Sequence, residues 1–299
     1  MLDLIIPTIS QGLLWSLLAL GVYLTFRILD IADMTVEGSF PLGAAVAAGL
    51  LIDGANPFTA VFAAGIAGML AGVITGILHT KLKIPALLAG ILTMLALYSI
   101  NLHIMGKANL SLLRVDTIFS LFDGYGLTMA NAILIVGLLS ALLFTLLMYW
   151  FFGTEIGAAI RATGYNQQMI RANGVNTDAT IILGLLLSNG LVGVSGALVG
   201  QSNGFADVGM GVGTIVIGLA SVIIGEVLFG TRSFKNCLIS VVLGSVVYRI
   251  VIAIVLQLGM PPNDLKLFTA ILVALALSMP LFRNKWSAKK RRALSYAKN

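Results

Sequence analysis

The feature that most constrains this chain is a series of uncharged apolar segments, each long enough to cross a lipid bilayer. Residues 129–151, for example, contain no Asp, Glu, Lys or Arg, and about 20 apolar residues in an α-helix cover the hydrocarbon core. Because lipid offers no hydrogen-bond partners, a backbone that crosses it must satisfy its own polar groups. Segments of this length predict helices, so the chain is predicted to be an all-α, polytopic membrane protein.

About nine transmembrane helices are predicted, some of them short or broken. They are a first span at 5–29, a short run rich in Ala and Gly that ends near residue 52, and spans at 58–80, 84–105, 129–151, 179–201, 209–230, 235–257 and 265–282. The chain is 59% hydrophobic and 10% charged, with a mean hydropathy of +1.02. That composition leaves too little charge for a separate soluble domain, so we expect residues 1–299 to form a single transmembrane domain.

The distribution of basic residues predicts the orientation in the membrane. Of the 18 lysines and arginines, fourteen fall on one side of the predicted spans, and seven of these are in the tail, residues 283–299. Cytoplasmic loops carry the excess of Lys and Arg, so the N-terminus is predicted to be outside and the C-terminus inside. The basic cytoplasmic tail can also rest on anionic lipid. On the outer side, the mixed loop 106–128 is predicted to lie along the membrane surface.

One connection, residues 153–178, is unusually polar and contains residues that typically begin and end helices. Asn166 is placed to cap a short helix, and Gly174 to end it. On the predicted orientation this segment lies in the cytoplasm. Two interpretations remain open, namely a short helix presented to a soluble partner and an ordinary cytoplasmic loop.

Two runs of sequence resemble a known family. The run AIRATGYN at 159–166, followed by ANGV at 172–175, resembles the cytoplasmic coupling loop of ABC transporter permeases of the branched-chain amino acid and ribose type. The run DMTVEGSFPLG at 33–43 is most similar to permeases paired with tryptophan- or tyrosine-type binding lipoproteins. The resemblance extends from Arg27 to about Val251. It implies the permease subunit of an importer that moves a small solute across the bacterial plasma membrane.

The resemblance also implies partners and a docking loop. The partners are an ABC ATPase subunit on the cytoplasmic side, an extracellular solute-binding lipoprotein and a second permease copy, with a homodimer expected. The residues assigned to ATPase coupling are Glu155, Ile160, Arg161, Gly164, Tyr165, Asn166, Met169, Ile170, Arg171 and Gly174. Among them, Ile160, Tyr165, Met169 and Ile170 are expected to supply apolar contacts, and Gly164 is expected to form the turn between two short segments.

Small residues at helical spacing predict close packing between helices in lipid, where packing replaces the hydrophobic driving force. Two such faces occur, one in the third span and one in the sixth. Their members are Gly65, Gly68, Gly72 and Gly76 in the third, and Gly193, Gly196 and Gly200 in the sixth.

Polar residues inside or beside the spans are candidates for the translocation path, because ionisable groups in a membrane are costly unless they have a function. The candidates are Asn189, Ser195, Glu226, Arg249 and Glu37. Close helix packing remains the alternative for Asn189 and Ser195. Glu37, with its neighbours Asp30 and Asp33, is interpreted as part of a solvated loop, with the rim of a solute path as the alternative. Ser39 is predicted to cap the next helix.

Other functions are weighed against the motifs that they require. No Walker A pattern is present, so ATP is expected to be hydrolysed by a partner and the chain itself is expected to be neither an enzyme nor a cofactor protein. His79, His103 and the single Cys237 form no metal-binding pattern, and nucleic acid is not an expected partner. The run GVSG at 193–196 lacks the later histidine that an intramembrane serine protease needs. An ion-coupled secondary transporter remains open. The resemblance implies that the solute is an amino acid, aromatic or branched-chain, with nucleosides and sugars as alternatives.

Overall fold

The structure is a computed structural model that describes residues 2–126, 128–259, 261, 264, 267–271 and 274–275. Its helices, in chain order, are α1 (Leu2–Tyr23), α2 (Val36–Ile52), α3 (Pro57–Thr80), α4 (Ala86–Met105), α5 (Met129–Phe152), α6 (Glu155–Tyr165), α7 (Gln167–Ala172), α8 (Thr177–Asn203), α9 (Thr214–Phe229) and α10 (Phe234–Gln257). A π-helical turn, Leu24–Ile28, extends α1, and 3-10 turns cover Ser120–Tyr125 and Val208–Gly211. Two short strands are β1 (Asn109–Ser111) and β2 (Phe205–Asp207).

Within the described ranges, seven helical segments are long and apolar enough to cross a membrane, and α2 is a shorter apolar helix. The all-α, multi-pass class is therefore confirmed. Most of the predicted span 265–282 and the whole tail 283–299 lie outside the described residues, so the count of nine spans and the orientation stay predictions.

Helix α1 is central to the bundle. It contacts α5, α8, α9 and α10, and its side chains Leu14, Leu17, Leu18 and Leu20 are fully buried. Helix α8 is enclosed in the same way, because it packs against α1, α2 and α3. These two helices form the core on which the peripheral helices are arranged.

The glycines predicted at helix contacts lie where two backbones meet. A Cβ atom at Gly68 would overlap the carbonyl oxygen of Asn189, and one at Gly196 would overlap the carbonyl oxygen of Phe40. The other five would also press on the neighbouring helix: Gly65 on Val194, Gly72 on Leu185, Gly76 on Ile182, Gly193 on Ala64 and Gly200 on Ala44. Helices α2 and α3 therefore approach α8 at distances that a side chain would prevent.

The bundle has two distinct ends. At one end, called here the α6–α7 end, Arg27 forms an ion pair with Glu226, and Lys81 lies 3.5 Å from Asp178. The opposite end, called the β1–β2 end, carries the antiparallel pair of strands, in which Asn109 is opposite Asp207. The prediction that the loop 106–128 lies along the membrane surface is wrong, because its side chains Leu112, Ile118 and Phe119 are buried in the bundle.

An unwound stretch, residues 29–35, separates α1 from α2 and runs back into the bundle. Asp30 in it has a positive φ of 55°, a conformation that L-residues rarely adopt. The backbone of Met34 packs so closely on Gly90 that a Cβ atom there would be 2.7 Å from the Met34 nitrogen. Helix α2 then begins at Val36. The prediction that Ser39 caps this helix is wrong, since its hydroxyl lies one turn inside and donates to Asn189 instead.

Candidate functional site

The polar segment between α5 and α8 folds into two short helices. The Asn166 side chain accepts a hydrogen bond from the Met169 nitrogen and caps α7, which is the predicted cap. Gly174 has a φ of +81°, and the Val175 nitrogen donates to the Ile170 carbonyl oxygen. This is the Schellman arrangement that ends helices at glycine. The segment is therefore an ordered pair of helices and not an irregular loop.

The two helices have a buried face and an exposed face. Ile160 is fully buried and Ile170 is 8% exposed, whereas Tyr165 is 91% exposed and Met169 is 49% exposed. Ile160 belongs to the hydrophobic cluster that holds the π-helical turn and the end of α5. The expectation that Ile160 and Ile170 contact a partner is thus corrected, because both side chains are already enclosed by this chain. Tyr165 and Met169 remain on the surface.

The charged residues of the segment are arranged around this surface. Glu155 is exposed in the first turn of α6, where its negative charge interacts favourably with the helix dipole. The Arg161 guanidinium carbon is 5.2 Å from the centroid of the Phe234 ring at the start of α10. Arg171 donates to the Thr177 hydroxyl and forms an ion pair of 3.2 Å with Asp178. Arg171 therefore also fastens α7 to the first turn of α8.

Gly164 has a different role from the predicted one. It lies inside α6, and a Cβ atom on it would overlap the carbonyl oxygen of Ile28. The turn between α6 and α7 is made by Asn166, whose φ is −158°. Gly164 is thus the point where α6 touches the backbone at which α1 unwinds, and the expectation that it forms the turn is corrected. The sequence cannot indicate this contact, because it joins residues 136 positions apart.

A network of buried polar side chains lies where the unwound stretch meets the middle of α8. Asn189 donates to an Asp33 carboxylate oxygen at 2.7 Å and accepts from the Ser39 hydroxyl at 2.7 Å. The other Asp33 oxygen accepts from the Thr35 backbone nitrogen. All four residues are at most 2% exposed, so the interpretation of Asp33 as part of a solvated loop is wrong.

The network continues through hydroxyl groups that the sequence interpretation missed. The Thr35 and Thr75 hydroxyls are 2.7 Å apart, and Thr75 donates to Thr93 at 2.8 Å. A threonine in an apolar segment does not by itself indicate a buried network, because its hydroxyl can also bond to its own helix backbone. Four helices, α2, α3, α4 and α8, and the unwound stretch are joined by this network of contacts.

The remaining path candidates have separate surroundings. The Ser195 hydroxyl donates to the Leu14 carbonyl oxygen and joins α8 to α1. Glu226 accepts from Arg27 Nε at 2.9 Å at the α6–α7 end. Glu37 accepts from the Gly213 nitrogen, ahead of α9. The structure therefore does not gather the five candidates into one pocket.

Arg249 lies well inside α10. Its guanidinium carbon is 4.0 Å from the centroid of the Trp15 ring on α1. Its Nε atom is buried and has no hydrogen-bond partner. In the part of the chain that the structure describes, Arg249 forms no ion pair.

Sequence comparison shows that this chain is similar to transport proteins. Residues 4–277 match the sequence model of a family described as branched-chain amino acid transport system / permease component. A "Tyrosine transport system permease protein" of Clostridioides difficile (strain R20291) is 42% identical over 269 residues, which is 90% of this chain and 88% of that protein. An "Uncharacterized protein RP368" of Rickettsia prowazekii (strain Madrid E) is 34% identical over 286 residues, 93% of this chain and 98% of that protein. No solved structure matches the chain.

Proposed function

The chain belongs to the family of permease components of branched-chain amino acid transport systems, and from this premise we propose that α6 and α7 form its docking site for the ATPase subunit. Permeases of this family lie in the bacterial plasma membrane and work with an ATPase and a solute-binding protein. The chain is thus the permease component of an ABC-type amino acid transport system. The docking site, the solute and the pairing of permeases are the proposed parts.

The observation that carries the docking proposal is the two-faced character of α6 and α7. Their exposed side offers Tyr165 and Met169, flanked by Glu155 and Arg161. Large exposed apolar side chains within a polar rim are typical of a protein interface. The capped ends fix the geometry of this surface, so little conformational entropy is lost when a partner binds.

The buried side of α6 supports a route for transmitting movement. Gly164 touches the backbone of Ile28, and the Thr163 hydroxyl is 2.9 Å from the Thr180 hydroxyl of α8. Ile160 packs with the same cluster as Leu29. A displacement of α6 would therefore act on the start of the unwound stretch and on α8, which together hold the Asp33–Asn189 network.

We propose a tyrosine-like aromatic amino acid as the solute, with branched-chain amino acids as the second candidate class. The support is the name of the Clostridioides difficile relative, a tyrosine transport system permease protein. The permease is proposed to work as a homodimer, with its N-terminus outside and the α6–α7 end in the cytoplasm. This orientation is supported by Arg27, Lys81, Arg161 and Arg171, which lie at that end.

The docking surface is tested with the double variant Tyr165→Ser/Met169→Ser. Because each central contact of an interface contributes about 1–2 kcal/mol, we expect binding of the ATPase subunit to weaken by about tenfold or more. Co-purification of the ATPase and ATP-driven uptake of L-tyrosine into proteoliposomes should fall together. The melting temperature of the permease should stay unchanged, since both side chains are exposed.

The matched control is Leu113→Ser, which removes an 85% exposed apolar side chain from the β1–β2 end. It should leave ATPase binding at the wild-type level. Wild-type ATPase binding by the double variant would disprove the docking site. Uptake of L-leucine but not L-tyrosine by the wild-type complex would replace the proposed solute without affecting the docking site.

A further inference from the structure

Two ionisable groups inside this bundle, Asp33 and Arg249, have very different surroundings. The Asp33 carboxylate accepts hydrogen bonds from the Thr35 nitrogen and from Asn189. Arg249 has an aromatic ring beneath it but a buried Nε atom without a partner and, among the described residues, no carboxylate within ion-pair distance. A cation at membrane depth is costly unless it is paired or serves a function. Arg249 therefore lacks the partners that a charged side chain with a purely structural role would have.

The depth of Arg249 argues against simple contact with water. It is the sixteenth residue of α10, which has 24 residues, so about 12 Å of helix lies between it and the end of α10. Side chains in a helix point back toward its N-terminus, which here means deeper into the bundle. Its position over Trp15, near the middle of α1, agrees with that direction.

The hydrogen-bonding capacity of the Arg249 guanidinium is not used up by the described residues. Arg249 is half-buried, and Nε is its only nitrogen that is both buried and without a partner. Its two terminal nitrogens make no hydrogen bond to the described residues and remain open to another molecule. Beneath it, Trp15 is half-buried, and the Trp15 and Phe40 ring centroids are 5.0 Å apart.

Trp15 shares its side of α1 with a second half-buried residue, Gln11. Helix α1 is bordered by α5, α8, α9 and α10, yet Gln11 and Trp15 are both half-buried. They are four residues apart and therefore lie on the same side of α1. Gln11 donates to Ser202 at the end of α8. This side of α1 thus extends from Trp15 toward the β1–β2 end.

We propose that Arg249, supported by the Trp15 ring, binds the carboxylate of the amino acid as it crosses the membrane. A guanidinium presents two parallel N–H donors that match a carboxylate, and the indole face stabilises the cation between transport cycles. This inference rests on the proposed function, because it assigns one group of the solute to one side chain. The solute class is an α-amino acid with a free carboxylate.

The test uses the complete transporter, with its ATPase and binding protein, in phosphatidylcholine proteoliposomes. L-tyrosine and L-leucine are the probes. Arg249→Gln should lower the maximum uptake rate by about tenfold or more, the effect of losing a charge-assisted hydrogen bond. The concentration for half-maximal uptake should stay the same, because the binding protein captures the solute first. Arg249→Lys should restore part of the rate, because lysine keeps the positive charge but lacks the paired donors.

The matched control is Arg232→Gln. Arg232 is also an arginine, but it is exposed in the connection between α9 and α10. This variant should transport within about twofold of wild type, since substitutions of exposed residues usually have small effects. Arg249→Gln should keep the wild-type melting temperature, which a purely structural role over Trp15 would not allow.

Three outcomes would overturn the inference. The first is a wild-type uptake rate in Arg249→Gln. The second is a drop in melting temperature in both Arg249→Gln and Trp15→Leu with no rescue by lysine, which would make the pair structural. The third is an effect of Arg249→Gln seen only in vesicles containing phosphatidylglycerol, which would make lipid phosphate the anion. If wild type transports neither probe, the proposed solute class itself is wrong, and this inference with it.

Discussion

At the residue scale, the contacts of Asp33 explain how a carboxylate remains inside an apolar bundle. Burial of an ionised group is very unfavourable unless hydrogen bonds replace its hydration. Asn189 supplies one such bond and is oriented by Ser39 and by its own helix, through the Leu185 carbonyl oxygen. The amide is therefore held with its nitrogen toward the carboxylate. Asn189 is better explained as the residue that stabilises Asp33 than as a solute ligand.

This explanation predicts different effects for two substitutions at position 189. Asn189→Ala should destabilise the permease by about 1–3 kcal/mol, because Asp33 loses a donor in a buried site. Asn189→Asp should be worse, since it places a second carboxylate 2.7 Å from the first and like charges repel strongly in a low dielectric. Thermal unfolding of the purified variants measures both effects.

The control for this comparison is Asn203→Ala, at the exposed end of the same helix. It should unfold at the wild-type temperature. Equal stability of Asn189→Asp and wild type would show that Asp33 is not ionised in the folded protein or not held by Asn189.

At the element scale, the break between α1 and α2 connects the proposed docking helix α6 with the buried Asp33–Asn189 network. The π-helical turn before it is a type of irregularity that often marks functional sites. On one side α6 touches Ile28, and on the other the Asp33–Asn189 network fixes the stretch to α8. A short helix on the surface can thus act on the interior through a single irregular segment.

Gly164→Ala tests this link directly. The added methyl group would collide with the Ile28 carbonyl oxygen, and backbone atoms cannot yield as a flexible side chain can. We expect α6 to be displaced, at a cost of about 1–3 kcal/mol. ATP hydrolysis by the complex should then drive less solute uptake per ATP than in wild type.

The comparison variant is Gly49→Ala in α2, where the added methyl group would be 3.7 Å from its nearest neighbour, the Ile104 side chain. Its ratio of uptake to ATP hydrolysis should equal that of wild type. An unchanged ratio in Gly164→Ala would show that the α6 contact with Ile28 does not transmit movement.

At the scale of the whole molecule, the orientation follows from which end carries the cations. Arg27, Lys81, Arg161 and Arg171 lie together at the α6–α7 end, and Lys107 lies near the β1–β2 end. The positive-inside rule then predicts that the α6–α7 end is cytoplasmic. Cys237 lies in the first turn of α10, which begins at that end.

Labelling with a membrane-impermeant thiol reagent on intact cells checks this orientation. The native Cys237 should not react, whereas Lys107→Cys in a Cys237→Ser background should react, because Lys107 is exposed. Reaction of Cys237 from outside, or of the new cysteine only after lysis, would reverse the proposed orientation.

The sequence alone determined the properties that depend on neighbouring residues. Hydrophobicity over about 20 residues predicts a spanning helix wherever the helix packs, and spans such as 58–80 and 129–151 agree within a residue or two with Pro57–Thr80 and Met129–Phe152. The Asn166 cap and the Gly174 stop were predictable for the same reason, because each satisfies backbone groups within a few positions.

Only the tertiary structure decided what each polar or small residue touches. Asp33 and Asn189 are 156 positions apart, and nothing local in either segment indicates their hydrogen bond. Ile160 and Tyr165 belong to the same amphipathic helix, but the position of the α1–α2 break decides which one is buried. In lipid both faces of a helix can be apolar, so the sequence does not distinguish a lipid contact from a helix contact. That choice depends on backbone packing over long separations.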